Sequence, residues 1–299
     1  MLDRRLLITA LAALPVLGAP RAGLAAQSVR LTSGMSRSII ALEARSGGRL
    51  GVAALDTQTG ATFAHRADER FAMCSTFKAL VAGLVLARVD QGKERLDRRI
   101  AYGKDVLVTH SPVTERHVGD SMTVGALCEA TVTVSDNAAA NLLLDTFGGP
   151  SAVTAFVRAL GDKVTRLDRR EPELNVVRPG EQHDTTSPRA MLGSLRALTL
   201  GAALSPASRQ QMVDWLLANQ TGDKRLRAGL PAGWKVGDKT GSWGDGKGGT
   251  TNDIAVIWPP GRAPILIAAY LTQAKVDSAA RDAVIAEVAR IVAGGGFGK

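Results

Sequence analysis

Apolar positions recur along this chain with two different periods, and the change of period marks a change of architecture. From Ser36 to Arg45, Ile39, Ile40 and Leu42 stand among polar residues, predicting an amphipathic helix stopped by Gly47-Gly48. Leu50 to Leu55 reads as a strand, and Asp56-Thr57-Gln58-Thr59-Gly60 turns it into a second strand over Ala61 to His65. In a helix opening at Ser75, Ala79, Leu80, Val81, Leu84, Val85, Leu86 and Val89 cover nearly the whole circumference, as expected of a helix buried on all sides. Asp97 to Val118 is loop-rich, with Tyr102-Gly103 and Ser111-Pro112 as breakers. Helices follow from Thr123 through Ala130, then over Ala138 to Phe147, Ser151 to Leu160, Arg189 to Leu198 and Ser205 to Leu217. Near Trp234 the period shortens. Trp234 to Trp243, Asp253 to Trp258 and Ile265 to Thr272 are strand-like and joined by Gly- and Pro-rich turns. Ser278 to Val292 closes the chain as an amphipathic helix with Val284, Ile285, Val288, Ile291 and Val292 inward.

Strands at both ends with helices between them predict an α+β fold: an antiparallel sheet flanked by N- and C-terminal helices, with an all-helical domain inserted. The expected division is residues 27–70 with 219–299 for the sheet-bearing domain and 71–218 for the helical one. Residues 1–26 read as a secretory signal peptide. Arg4-Arg5 precede an apolar run from Leu6 to about Ala19, too short to span a bilayer comfortably, and Leu24-Ala25-Ala26 offers small residues for cleavage. The arginine pair also permits twin-arginine export. Export places the protein in the periplasm or outside the cell, with a mature start near Gln27 and no membrane anchor.

At 299 residues, 45% hydrophobic and 22% charged, the chain is an ordinary globular protein rather than a disordered one. The formal charge is +9; the leader holds Arg4, Arg5 and Arg21 against Asp3, which leaves about +7 for the mature chain. Basic residues are scattered singly among acidic ones, without the concentrated stripe of a nucleic-acid binder. His65, His110, His117 and His183 are isolated, and no His/Cys/Asp spacing suggests a metal site. Cys74 and Cys128 are the two cysteines, which an exported protein is free to pair.

Four short segments carry candidate chemistry. Ser75 and Lys78 share a helix face three residues apart. A hydroxyl needs a nearby base to become nucleophilic, and a lysine stripped of water has its pKa lowered towards that use. The plainer reading is a capping serine and a snorkelling lysine. Ser135-Asp136-Asn137 is a good helix cap on its own. Arg166-Leu167-Asp168-Arg169-Arg170-Glu171-Pro172-Glu173-Leu174-Asn175 is a charged loop that would otherwise pass for solvated surface. Lys239-Thr240-Gly241-Ser242 lies on a strand; alternation puts Thr240 and Ser242 on one face, and Gly241 would let a ligand approach the backbone.

All four occur in one order at compatible separations, and the chain resembles a class A serine β-lactamase over nearly all of its mature length. Ser111-Pro112-Val113-Thr114, Ala138-Ala139-Ala140-Asn141-Leu142-Leu143-Leu144 and Thr251-Asn252-Asp253-Ile254-Ala255-Val256-Ile257-Trp258 extend the resemblance. It implies hydrolysis of penicillins and cephalosporins without a cofactor, by a monomer, through an acyl-enzyme on Ser75. The N–H groups of Ser75 and Ser242 would form the oxyanion hole, a term worth about 3–4 kcal/mol per donor. Lys78 and Glu171 compete as the acylation base, the latter through a water. Ser135 and Lys239 would relay the proton to the leaving nitrogen, Asn137 would bind the substrate's side-chain amide, and Glu171 with Asn175 would hold the deacylating water. The family pattern also implies a cis bond at Glu171-Pro172 and a pairing of Arg169 with Asp184 across the loop neck.

Departures from the family pattern define further expectations. Thr251 stands where many relatives carry the arginine that holds the drug's carboxylate. Arg225 is therefore assigned to that site with Thr240 and Ser242, because a guanidinium fork suits a carboxylate, and Arg281 is an outside candidate. His110 replaces a gating tyrosine or tryptophan and stacks less strongly. Arg170 replaces a tryptophan beside Glu171, which is expected to loosen the loop. Ala82 and Trp243 occupy the positions that would pair with Cys128 and Cys74, so two free thiols are expected and the Ser75 turn would be held by packing alone. The run Trp243 to Gly249 is a longer hairpin than usual beside the pocket. A penicillin-binding transpeptidase and a β-lactam-sensing domain share several of these elements, but neither has use for Glu171 in its full loop.

Overall fold

The computed structural model describes residues 22–244, 246 and 248–297. Most of the expected leader, residues 1–21, lies outside the described residues, as do Asp245 and Lys247 of the expected long hairpin. The helices are α1 (Ala22–Ser46), α2 (Phe77–Asp90), α3 (Val124–Thr133), α4 (Asn137–Asp145), α5 (Pro150–Ala159), α6 (Pro188–Thr199), α7 (Pro206–Leu217) and α8 (Ser278–Gly294). The strands are β1 (Arg49–Asp56), β2 (Thr62–His65), β3 (Phe71–Ala72), β4 (Arg99–Ala101), β5 (Ser121–Thr123), β6 (Thr185–Thr186), β7 (Lys235–Trp243), β8 (Gly249–Trp258) and β9 (Ile265–Ala274).

Five strands form one antiparallel sheet in the order β2-β1-β9-β8-β7, and two short ribbons pair β3 with β6 and β4 with β5. The period-2 pattern of β9 explains how both faces are covered. Ile265, Ile267, Ala269 and Leu271 pack towards α1 and α8 with Met35, Ile39, Leu42, Ile285 and Val288. Leu266, Ala268 and Tyr270 pack the other way, against a core shared with α2, α3, α4 and α6. The expected α+β architecture therefore holds.

Local signals set the helix starts. Ser187, Ser205, Thr123 and Asp277 each cap a helix through the side chain, and proline follows directly in α6 and α7. Three expectations are corrected. The first helix begins at Ala22 rather than Ser36. Its inward stripe is Met35, Ile39 and Leu42, while Ile40 is 54% exposed, because 100° per residue carries it off that stripe. Ser75 lies not in an α-helix but in a short 3-10 turn, Cys74–Thr76, that leads into α2. Among the described residues no helix is long and apolar enough to cross a membrane.

The sheet ends at β7, and Gly241 on this last strand lies against the Ser75 turn.

Candidate active site

Cys74, immediately before Ser75, has φ +44°, a left-handed conformation that non-glycine residues rarely adopt. His110, Ser135 and Asp184, with φ +63°, +61° and +56°, share it, while Arg66 and Gln273 adopt it elsewhere. Hydrogen bonds hold the Ser75 turn, which corrects the expectation of packing alone. Asn252 Nδ2 donates to the carbonyls of Ala72 at 2.9 Å and Met73 at 3.1 Å. Thr76 Oγ1 donates to Met73 O at 2.9 Å and meets the Tyr270 hydroxyl at 3.1 Å, and Met73 N–H donates to Asp184 O.

Lys78 is fully buried, and its ammonium nitrogen is the hub of the cluster. Its three N–H groups are shared among Ser75 Oγ at 3.0 Å, Ser135 O at 2.7 Å, Ser135 Oγ at 3.2 Å, Asn137 Oδ1 at 2.5 Å and Glu171 Oε1 at 3.1 Å. Burial pushes its pKa below the usual lysine range, against the opposing pull of Glu171. Ser135 owes its position to Asp136, which caps α4 through Ala139 N–H and also accepts from the N–H groups of Val113 and Thr114. Asn137 Nδ2 donates to Thr109 O at 2.7 Å, so both ends of this amide are already engaged.

Glu171 Oε1 accepts from Ser75 Oγ at 3.2 Å, and Oε2 accepts from Asn175 Nδ2 at 2.6 Å. The Glu171-Pro172 bond is cis. Asn141 on α4 braces the glutamate's backbone, receiving its N–H at 3.1 Å and donating to its carbonyl at 2.9 Å. At the loop neck, Asp184 accepts from Arg169 Nε at 2.5 Å and from the N–H groups of Asp168 and Arg169. Arg170 does not leave the loop loose, as its replacement of a tryptophan suggested. Its guanidinium reaches Asp145 at 2.6 Å and the Asn141 carbonyl at 3.3 Å, tying the loop to α4.

On β7, Lys239 Nζ donates to Ser135 Oγ at 3.1 Å and Thr240 O at 2.9 Å. Burial first, then the nearby Lys78 charge, hold its pKa well below the usual lysine range. Thr240 and Ser242 share the opposite face. Thr240 Oγ1 meets Thr221 Oγ1 at 2.5 Å, and Ser242 Oγ accepts from Arg225 Nη2 at 2.6 Å. Gly241 was expected to admit a ligand, but it admits the Ser75 turn itself. A Cβ there would lie 2.8 Å from Met73 O and 3.2 Å from Ser75 N. Arg225 presents no free fork. Its Nε pairs with Asp282 at 2.7 Å and its Nη1 donates to Gly241 O and Asn252 O, so with the Ser242 bond one N–H remains. Arg281, the outside candidate, is 2% exposed and directed to Gly244, Gly246, Val276 and Thr251. His110 stands exposed at the rim, its ring Nε2 at 2.9 Å from Val134 O.

The structure thus brings Ser75, Lys78, Ser135, Asn137, Glu171, Asn175 and Lys239 into one hydrogen-bonded cluster, with Thr240 to Ser242 and Arg225 along its sheet side. Sequence alone assigns no role to Asn252 or Asn141, although both lie in stretches that carry the resemblance; for Asn141 the available signal is a lone asparagine in the apolar run from Ala138 to Leu144. The groove of about 740 Å³ lined by Leu200, Pro206, Val213, Leu217 and Trp258 shares no residue with the cluster, so chemistry rather than the size of a hollow locates the site. Among the described residues no group of three His, Cys, Asp or Glu could hold a metal. A hydroxyl between an amine and a carboxylate, with a second amine behind another hydroxyl, is equipped for acyl transfer.

A family model described as the beta-lactamase enzyme family matches residues 34–294. The carbapenem-hydrolysing β-lactamase KPC of Klebsiella oxytoca is 51% identical over 272 residues, 91% of this chain and 92% of the relative. β-Lactamase CTX-M-8 of Citrobacter amalonaticus is 49% identical over 261 residues, 87% of this chain and 89% of the relative. Among solved structures, the class A β-lactamase of the last common ancestor of Gram-negative bacteria, GNCA4, superposes with a TM-score of 0.85 at 69% identity, covering 87% of this chain and 98% of that one.

Proposed function

The chain belongs to the class A serine β-lactamase family, and from that premise we propose how its residues open a β-lactam. It hydrolyses the β-lactam amide bond of penicillins and cephalosporins through a serine acyl-enzyme and so confers resistance to them. The observation that carries the assignment of roles is the position of Ser75 Oγ, 3.0 Å from Lys78 Nζ and 3.2 Å from Glu171 Oε1.

In acylation, Ser75 Oγ attacks the lactam carbonyl carbon and gives its proton to the Lys78–Glu171 pair. The two lie 3.1 Å apart, so either is within reach of the other's proton. The carbonyl oxygen takes up the negative charge and is received by the N–H groups of Ser75 and Ser242. Each such donor is worth about 3–4 kcal/mol in a site closed to water. As the carbon–nitrogen bond breaks, the nitrogen takes a proton from Ser135 Oγ, which Lys78 or Lys239 replenishes across 3.2 and 3.1 Å. In deacylation, Glu171 withdraws a proton from a water, whose oxygen attacks the ester carbon; the carbon–oxygen bond to Ser75 breaks, and the proton passes from Glu171 to Ser75 Oγ. Asn175 Oδ1, a buried acceptor with no protein donor, fits the second hold on that water.

The substrate carboxylate is received by Thr240 and Ser242 hydroxyls, with Arg225 polarising Ser242 and offering its one remaining N–H. Gly241 contributes by letting β7 approach the nucleophile, Asn137 offers its second Nδ2 N–H to the substrate's side-chain amide, and His110 borders the cleft. The division into residues 27–70 with 219–299 and residues 71–218 places the site at the junction of the two parts. A cleaved leader ending near Ala26 would deliver the enzyme to the periplasm or the medium.

The test is the lifetime of a penicillin acyl-enzyme followed by mass spectrometry. Turnover in the wild type with a persistent adduct in Glu171→Ala is expected. A long-lived adduct in the wild type would instead identify a transpeptidase or a sensor.

A further inference from the structure

Away from Ser75, a groove of about 740 Å³ lies between α7 and the end of β8, within the range of about 300–1,000 Å³ that small-molecule sites occupy. Its walls follow from local sequence. Pro259 and Pro260 come directly after Trp258, and proline has no N–H with which to extend the ladder, so β8 stops there. Ser205, its hydroxyl donating to Asp90 at 2.7 Å, caps α7 and Pro206 opens it, which sets this helix off from the end of α6 at Thr199. Arg209, Val213 and Leu217 recur every four residues and share the face of α7 turned to the groove. With Leu200 on one side and Trp258 on the other, they give it an apolar floor.

The charge at its rim has one sign. Arg209 on α7 and Lys235, the first residue of β7 and the cross-strand partner of Trp258, both line the groove, and no lining residue is acidic. Arg209 spends one N–H on Gly201 O at 2.5 Å, and among the described residues neither cation is paired with a carboxylate. Asp214, the acidic residue of α7, is not among the lining residues and accepts from Gln210 Nε2 at 2.8 Å.

We propose that this groove binds one free amphipathic carboxylate, an acyl chain ending in a carboxylate. The chain lies against Leu200, Val213, Leu217 and Trp258, where each buried methylene strengthens binding, and the carboxylate is received by Arg209 and Lys235. A membrane surface fits less well, because headgroup-binding patches gather about 4–8 cations and this rim has Arg209 and Lys235 alone. No residue of the groove belongs to the Ser75 cluster, so binding here and hydrolysis there are separable.

The test titrates dodecanoate, held below its micelle-forming concentration, into the full protein by calorimetry, with hexanoate and dodecyltrimethylammonium beside it. Trp258 emission, taken as the difference from Trp258→Phe, reports where the ligand sits. Dodecanoate should bind one to one and change Trp258 emission with the same midpoint; hexanoate should bind at least about tenfold more weakly, and the dodecyl cation not at all. Lys235→Glu, at an exposed position, should weaken dodecanoate about tenfold or more and leave kcat/KM on a penicillin unchanged. Arg209→Gln should reproduce the loss and serves if Lys235→Glu does not fold. No saturable binding, equal affinity for the two dodecyl head groups, or undiminished affinity in both variants overturns the proposal. Dodecanoate that competes with the penicillin as it binds belongs at Ser75 and overturns it too. Binding of phosphatidylglycerol vesicles without binding of free dodecanoate overturns it in favour of a membrane surface.

Discussion

Asn175 Nδ2 donates to Glu171 Oε2 at 2.6 Å, which leaves Oε1 as the oxygen aimed at Ser75 and Lys78. A hydrogen bond to a charged group contributes about 1.5–3 kcal/mol, so Asn175→Leu should slow deacylation by about tenfold to a hundredfold. Acylation, which depends on Lys78 as well, should be slowed much less. Quench-flow mass spectrometry would then find the acyl-enzyme at steady state in Asn175→Leu and not in the wild type. Equal slowing of both steps would mean that Asn175 merely supports the loop.

Lys239 makes activity and stability pull apart. Burial holds its folded pKa well below its usual range, so between that lowered value and the unfolded value the unfolded chain binds more protons than the folded one. Wild-type stability must therefore rise with pH across that window, and the cost of the buried charge is greatest at neutral pH and below. Lys239→Met should melt higher than wild type at neutral pH, and the gap should close as pH approaches about 10, the ordinary lysine pKa. Its kcat/KM should fall by about a hundredfold or more through loss of the proton relay. A gap that widens with rising pH would refute the burial argument.

Two neighbouring arginines at the Glu171 loop should behave differently. Asp184 is fully buried and takes three hydrogen bonds from Asp168 and Arg169, so Arg169→Ala leaves a buried carboxylate underpaired and should cost about 3 kcal/mol. The Arg170–Asp145 pair is 40% and 61% exposed, and Arg170→Ala should cost less than about 1 kcal/mol. Urea denaturation of both variants measures the contrast.

Cys74 and Cys128 are both buried and unpaired, and burial raises each thiol's pKa, so neither offers a thiolate. The folded protein should react with Ellman's reagent in neither position, and the denatured protein in both. A two-hydrogen mass deficit reversed by reductant would contradict this.

What could be read before the fold was known, and what could not, follows from the range of each interaction. Ser75 and Lys78, Ser135 and Asn137, Glu171 and Asn175, and Lys239 to Ser242 are local pairs. Their residue types and spacing survive in a linear reading, as does the alternation in β9 that implies a two-faced sheet. Asn252 is different, because its partners Ala72 and Met73 lie some 180 positions away and nothing in the local pattern points to them. Periodicity reports that a residue is buried but not what it meets. For the same reason residue type alone makes Gly241 room for a ligand, Arg281 a spare carboxylate ligand and Arg170 a loosening substitution, and in each case a distant partner decides otherwise.

Asn252 supports the sharpest prediction about the nucleophile. It is fully buried on β8, opposite Gly241 on β7, and its amide bridges the carbonyls just before the strained Cys74. Asn252→Leu keeps the volume but removes the donor to both carbonyls, leaving Met73 O to Thr76 alone, at about 1–3 kcal/mol in stability. The chemistry should suffer as well. A left-handed cysteine persists only while its surroundings enforce it, so the turn should relax and carry Ser75 away from Lys78 and the Ser242 N–H. Acylation should slow by at least about tenfold. Deacylation should change less, because Glu171 is braced independently by Asn141 and Asn175. Single-turnover measurements with a chromogenic cephalosporin separate the two steps. A variant that loses stability yet acylates at the wild-type rate would show that the Thr76–Tyr270 contact, not Asn252, holds the turn.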